Sequence, residues 1–198
     1  MMTFLEKERL CEREFEMRGP FWHLFTDGTK MENIFNNEDE MKVGMSALAV
    51  SCMLDPSIHL VTFQLMSNHV HLILSGARDA CLTLFERFKQ RLIRVYRKLG
   101  RIVDWTKFQA EILHIDDLKS LRNEIVYVNR NAYVANPIYT PFNYPWGGGC
   151  AYFSPVINLL PQKSVEDLGL TKGRKLTHCR DLRGLEKLKF VGETVFIP

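Results

Sequence analysis

Two short apolar runs, IHLVTFQLM at 58–66 and HVHLILS at 69–75, stand only Ser67 and Asn68 apart. Both are rich in β-branched, aromatic and leucine residues, and a two-residue polar link between such runs is the mark of a tight antiparallel hairpin. Strand side chains alternate between faces, so His69 and His71 project one way while Val70, Leu72 and Leu74 project the other. Two neighbouring neutral imidazoles make a donor set for a divalent metal or a phosphate. In isolation the same pattern is more often a pair of satisfied polar residues on a half-exposed strand, so the surrounding chain has to decide.

The elements around the hairpin follow from periodicity and punctuation. FWHLFTD (21–27) reads as a strand closed by Gly28. Asn36 or Asn37 caps a helix from Glu38 to about Met53, which Asp55-Pro56 stops. After the hairpin, CLTLFERFKQRLIRVYRKLG (81–100) has Leu82, Phe85, Phe88 or Lys89, Leu92 and Tyr96 at helical spacing and ends at Gly100. FQAEILHI (108–115) is a short strand, and Asp116 or Asp117 caps a last helix from Leu118 to about Ala135, ended by Asn136-Pro137. Strand, helix, strand, strand, helix, strand, helix is the split βαβ order of an α+β, ferredoxin-like (RRM-like) sandwich with an antiparallel sheet. The aromatic, turn-rich stretch PIYTPFNYPWGGG then wraps over the core, and Gly147–Gly149 mark a boundary. Residues 1–150 are thus expected to form the main domain and 151–198 a small appendage, in line with what 198 residues at 46% hydrophobic can bury.

Composition excludes several classes. The amino-terminal MMTFLEKERLCEREFEMR is charged from residue 6 onward, unlike a signal or transit peptide, and no apolar run is long enough to span a bilayer. A cytoplasmic protein is expected. The five cysteines, at 11, 52, 81, 150 and 179, are widely spaced without a CxxC pair, so neither a disulfide framework nor a structural zinc site is indicated. The net charge of +3 resides in residues 151–198, with eight Lys/Arg against five Asp/Glu. Within the neutral remainder, Arg87, Lys89, Arg91, Arg94, Arg97 and Lys98 face a single acid, Glu86, in the helix at 81–100. Such a stripe suits a phosphate backbone, and equally a solvated helix face.

Other chemistries of the His-x-His pattern are disfavoured by its neighbours. A histidine-triad nucleotide hydrolase would need a third histidine where Ile73 stands, and a two-histidine phosphoesterase would need Ser or Thr in place of His71. Two histidines then require a third metal ligand and a nucleophile from elsewhere. On the helix at 118–135, Leu118, Leu121, Ile125, Val128 and Ala132 form an apolar stripe, and Tyr127 and Asn131 lie together off it, one turn apart. A phenol with an ordinary pKa of about 10 is a poor nucleophile unless charge is drawn from its target or from the developing phenolate.

At this point the chain resembles a known family, the HUH single-strand DNA transposases with one catalytic tyrosine, in particular the REP-associated tyrosine transposases. The resemblance runs over roughly residues 20–150: FWHLFTDGTKMENIF is similar to the first strand and its connection, QLMSNHVHLIL to the metal-binding hairpin, and YVNRNAYVANPIYTPFNYPWGG to the tyrosine helix and the Tyr-Pro-Trp turn after it. It implies that His69 and His71 hold Mg²⁺ or Mn²⁺, that Asn131 completes the coordination, and that Tyr127 attacks a DNA phosphate. It further implies a hairpin-forming single strand of DNA as partner, a 5′-phosphotyrosine intermediate, no nucleotide cofactor, and leaves a homodimer open. The chain departs from the family in having Ala132 where proline usually follows the asparagine, with Asn136-Pro137 five residues later. Tyr133 is therefore a rival nucleophile, although only Tyr127 has the family's four-residue spacing to an asparagine.

Two other functions fit the same sequence. One is a replication-initiator or relaxase-type nickase with the same chemistry. The other is a catalytically silent or domesticated nucleic-acid-binding protein, since sheets of this class also serve as RNA platforms. In the carboxy-terminal segment, Lys172, Arg174, Lys175, Arg180 and Arg183 form a second basic cluster that suits further DNA contact or plain solvation.

Overall fold

The computed structural model describes residues 2–149; the carboxy-terminal appendage and its basic cluster lie outside the described residues. The chain is an α+β protein, with four helices and one four-stranded antiparallel sheet among the described residues. Its elements are α1 (Phe4–Arg18), β1 (Phe21–Thr26), α2 (Glu38–Met53), β2 (His59–Leu65), β3 (Val70–Ser75), α3 (Arg78–Lys98), β4 (Ala110–Ile115) and α4 (Leu118–Ala135).

The hairpin at 58–75 forms as β2 and β3, with β1 on the far side of β3 and β4 outermost, giving the order β2-β3-β1-β4. Register sets who meets whom. Phe25 and Gln64 both lie opposite His71, and His23 and Thr62 both lie opposite Ile73. The connection spans 66–69, so His69 sits just outside β3; its carbonyl accepts from the Met66 amide at 2.8 Å. Neither Ser67 nor Asn68 adopts a positive φ, so the turn is not the mirror-image type its length suggests.

Alternation divides the sheet. Leu24, Leu72, Leu74, Phe63 and Leu65 pack with α2 and α3 residues such as Leu48, Phe85, Phe88 and Leu92 in the larger core. On the opposite face Phe21, Ile73 and Ile115 meet Leu121 and Val128 of α4. Burying each of these large side chains is worth about 1.5–3 kcal/mol. His23, Gln64 and His71 share this second face, under α4.

Caps fall where short polar residues precede helix formers. Asn37 Oδ1 accepts from the Glu40 amide at 2.9 Å, and Asp117 from the Ser120 amide at 2.6 Å. Strand β4 starts two residues later than the pattern at 108–115 suggests, because Phe108 turns into the core against Phe85, with ring centroids 5.2 Å apart.

Helix α1 was not expected from apolar periodicity. It rests on a capping box in which Thr3 and Glu6 each bond the other's amide, and it docks by stacking Phe15 on Phe21 at 4.9 Å and by an Arg122–Glu8 pair. After α4 the aromatic segment returns to the open edge of β2. Leu65 donates to Trp146 O and Gly148 to Phe63 O, both at 2.8 Å, and the Tyr144 hydroxyl donates to Leu65 O at 2.7 Å. The edge strand is thereby covered. Glycine is required at 149, where a Cβ would stand 2.0 Å from the Pro141 carbonyl oxygen.

Candidate active site

The rings of His69 and His71 lie together, centroids 5.1 Å apart and nearly perpendicular. His69 Nδ1 is 2.7 Å from Asn68 Oδ1, and the other end of that amide donates to the Gly28 carbonyl at 2.8 Å. The second bond settles which end of Asn68 faces the ring. Since Oδ1 only accepts, His69 carries its proton on Nδ1 and keeps the Nε2 lone pair. Gly28 leaves the room for this contact, because a Cβ there would stand 2.6 Å from His69 Nδ1.

Burial holds both histidines in the neutral form. His71 is pushed down to about 3, chiefly by burial and then by the neighbouring His69 and His23. For His69 burial also lowers the pKa, opposed by the charge of Asp27. Neutral imidazoles are the form that binds metal ions.

Tyr127, on α4, meets His71 of this pair. Its ring is 5.7 Å from that of His71, at 90°, and 5.9 Å from that of His23. It remains 48% exposed, so the phenol lines a face open to a substrate. Tyr133 is also exposed, but among the described residues it makes no ring contact with the histidines. Asn131 follows Tyr127 by one turn and donates its amide to the Tyr127 carbonyl at 3.2 Å.

Three further residues shape the site and were not singled out by sequence. His23 Nε2 lies 3.0 Å from His71 Nδ1, and His23 Nδ1 lies 2.8 Å from a Glu124 carboxylate oxygen on α4. Gln64, buried beside His71, directs its amide into α4: oriented so that both ends are satisfied, it donates to the Val128 carbonyl and accepts from the Ala132 amide at 2.9 Å. The turn that follows Tyr127 is thus gripped from the sheet. Alternation within FWHLFTD could have placed His23 on a face with Phe21 and Phe25, but the pairing of β1 with β3 is a long-range register that no local pattern carries.

The basic helix is not part of this cluster. Helix α3 packs on the opposite face of the sheet from His71 and Tyr127. Its cations also diverge: Arg87, Arg91, Arg94 and Lys98 follow one stripe, Arg97 lies apart, and Lys89 is only 7% exposed. Arg87 Nη1 is buried without a hydrogen-bond partner among the described residues.

Among the described residues no three His, Cys, Asp or Glu side chains are arranged to hold a metal. A divalent cation at His69 and His71 would therefore draw its other ligands from an amide such as that of Asn131, from water, or from a substrate phosphate. The fit is favourable on the protein's side, since His69 has a fixed tautomer with Nε2 free and His71 is held neutral.

No family model, curated protein or solved structure matched the chain.

Proposed function

We propose that this chain is a metal-dependent single-strand DNA transposase of the HUH type, built on a ferredoxin-like sandwich, which cuts and rejoins DNA through Tyr127. The observation that carries the reading is the half-exposed Tyr127 ring set against His71, whose own ring is paired with that of His69. The resemblance of the hairpin and of the tyrosine helix to that family supports it, as do the strand order and the helix placement.

In the proposed reaction, Tyr127 Oη attacks the scissile phosphorus, a new P–O bond forms to the phenol, and the bond to the 3′-oxygen breaks. The phenol proton is lost and the departing 3′-oxygen gains one, leaving a free 3′-hydroxyl and a 5′-phosphotyrosine. A 3′-hydroxyl then attacks that phosphotyrosine, which restores a phosphodiester and the phenol. When bound, Mg²⁺ or Mn²⁺ supplies positive charge at the phosphate oxygens. His69 and His71 would hold it, with Asn131 positioned beside Tyr127 to add an oxygen ligand. Tyr127 is kept in place by α4, which Gln64 ties to β2.

The test is cleavage of labelled single-stranded hairpin DNA taken from the gene's own flanks, with Mn²⁺. The proposal expects products ending in a 3′-hydroxyl, abolished by chelator and restored by Mn²⁺. Tight binding with no cleavage on any flank would favour a silent binding protein.

A further inference from the structure

Glu124, His23 and His71 form a hydrogen-bonded line that runs from α4 through β1 to β3, with separations of 2.8 Å and 3.0 Å. A carboxylate can only accept, so the Glu124 end requires a proton on His23 Nδ1. A neutral His23 then offers a lone pair at Nε2, and the group 3.0 Å away must be a donor. That group is His71 Nδ1. The direction of the line is therefore set by its acidic end, and His71 is left with its lone pair on Nε2.

We infer that Glu124 and His23 are positioning residues, which lock His71 in the Nδ1–H tautomer and so leave its Nε2 lone pair for a ligand, as Asn68 does for the neighbouring His69. This deepens the metal reading of His69 and His71 and rests on it. Asn68 and Gly28 do for His69 what Glu124 and His23 do for His71: in each case a partner that can only accept fixes the proton on Nδ1. The alternative, a doubly protonated His23 donating to both neighbours, would put a charge on a ring that is only 5% exposed. Because Glu124 precedes Tyr127 by one turn on α4, the same line also couples the placement of the tyrosine helix to the orientation of the histidine.

The test uses the whole chain labelled with ¹⁵N-histidine and free of metal, in which long-range ¹H–¹⁵N spectra identify the protonated ring nitrogen of each histidine. The expected result is Nδ1–H at both His69 and His71. In Glu124→Ala, His71 should shift toward Nε2–H while His69 keeps its tautomer, and Glu124→Gln, whose amide oxygen still accepts, should retain the parent pattern at His71. Mn²⁺ affinity, followed by the electron paramagnetic resonance of free Mn²⁺, should weaken about 10–100-fold in Glu124→Ala. Parent His71 protonated on Nε2, or a His71 tautomer unmoved by Glu124→Ala, would overturn the inference. If Glu124→Ala does not fold, the parent and Glu124→Gln spectra decide. Should the tautomers be as expected while the parent binds no Mn²⁺, the metal reading fails and the proposed role of the line fails with it, leaving only its hydrogen bonding.

Discussion

The phenol ring of Tyr127 stands at 90° to the imidazole of His71, with 5.7 Å between their centroids, although the two are on different elements and 56 positions apart. That relation depends on where α4 crosses the sheet. Gln64, opposite His71 on β2, reaches the Val128 carbonyl and the Ala132 amide, in the turn directly after Tyr127.

Gln64→Ala is therefore expected to lower the unfolding free energy by roughly 1–3 kcal/mol, because buried hydrogen bonds are lost without replacement. The measurement is the urea midpoint at unchanged m value. A midpoint equal to that of the parent would show that α4 is held by its apolar stripe alone.

Gly28→Ala tests the support of His69. The added methyl would stand 2.6 Å from His69 Nδ1, so the ring and Asn68 must move. Mn²⁺ affinity is expected to fall by about tenfold or more, with a melting temperature close to the parent's, since Gly28 and His69 lie just beyond the ends of β1 and β3. Unaltered Mn²⁺ affinity would mean that His69 is not held in the way described.

Stability should fall on acidification in metal-free buffer. His71 has a folded pKa of about 3, whereas an unfolded histidine titrates near about 6.5. Between these values the unfolded chain binds a proton that the folded chain does not, so the contribution is intact above about pH 6.5 and is lost progressively as pH falls toward 3. Urea midpoints measured from neutral pH down to about pH 4 should decline, and decline less steeply in His71→Asn. Equal slopes for the two proteins would contradict the assignment.

Cysteine reactivity should follow burial. Cys11 is exposed on α1, while burial pushes the thiols of Cys52 and Cys81 up to about 12 and about 11. Iodoacetamide near neutral pH should modify Cys11 well before these two, which should react only in denaturant. Peptide mapping by mass spectrometry reads the order.

Much of this architecture was legible locally. The hairpin, the capped helix at 118–135 and the off-stripe phase of Tyr127 follow from alternation, Asp117 and helical spacing, and each is found. What escaped is long-range. His23 gains its importance from lying opposite Ile73, next to His71, and Glu124 from how α4 crosses β1; neither relation has a local signature. Helix α1 escaped for the opposite reason: its signal is the capping box of Thr3 and Glu6, and it buries too little apolar surface to show a stripe. The basic helix misleads in a third way. Counting its cations along the chain hides that α3 lies across the sheet from the histidines, whereas the inward turn of Lys89 agrees with the helical spacing that lets it share the apolar stripe.

The most direct measurement is a search for a denaturant-resistant protein–DNA adduct after incubation with labelled single-stranded hairpin DNA and Mn²⁺, mapped by peptide mass spectrometry. The account predicts a phosphotyrosine at Tyr127, absent in Tyr127→Phe and kept in Tyr133→Phe. An adduct that persists in Tyr127→Phe, or one that maps to Tyr133, would contradict it.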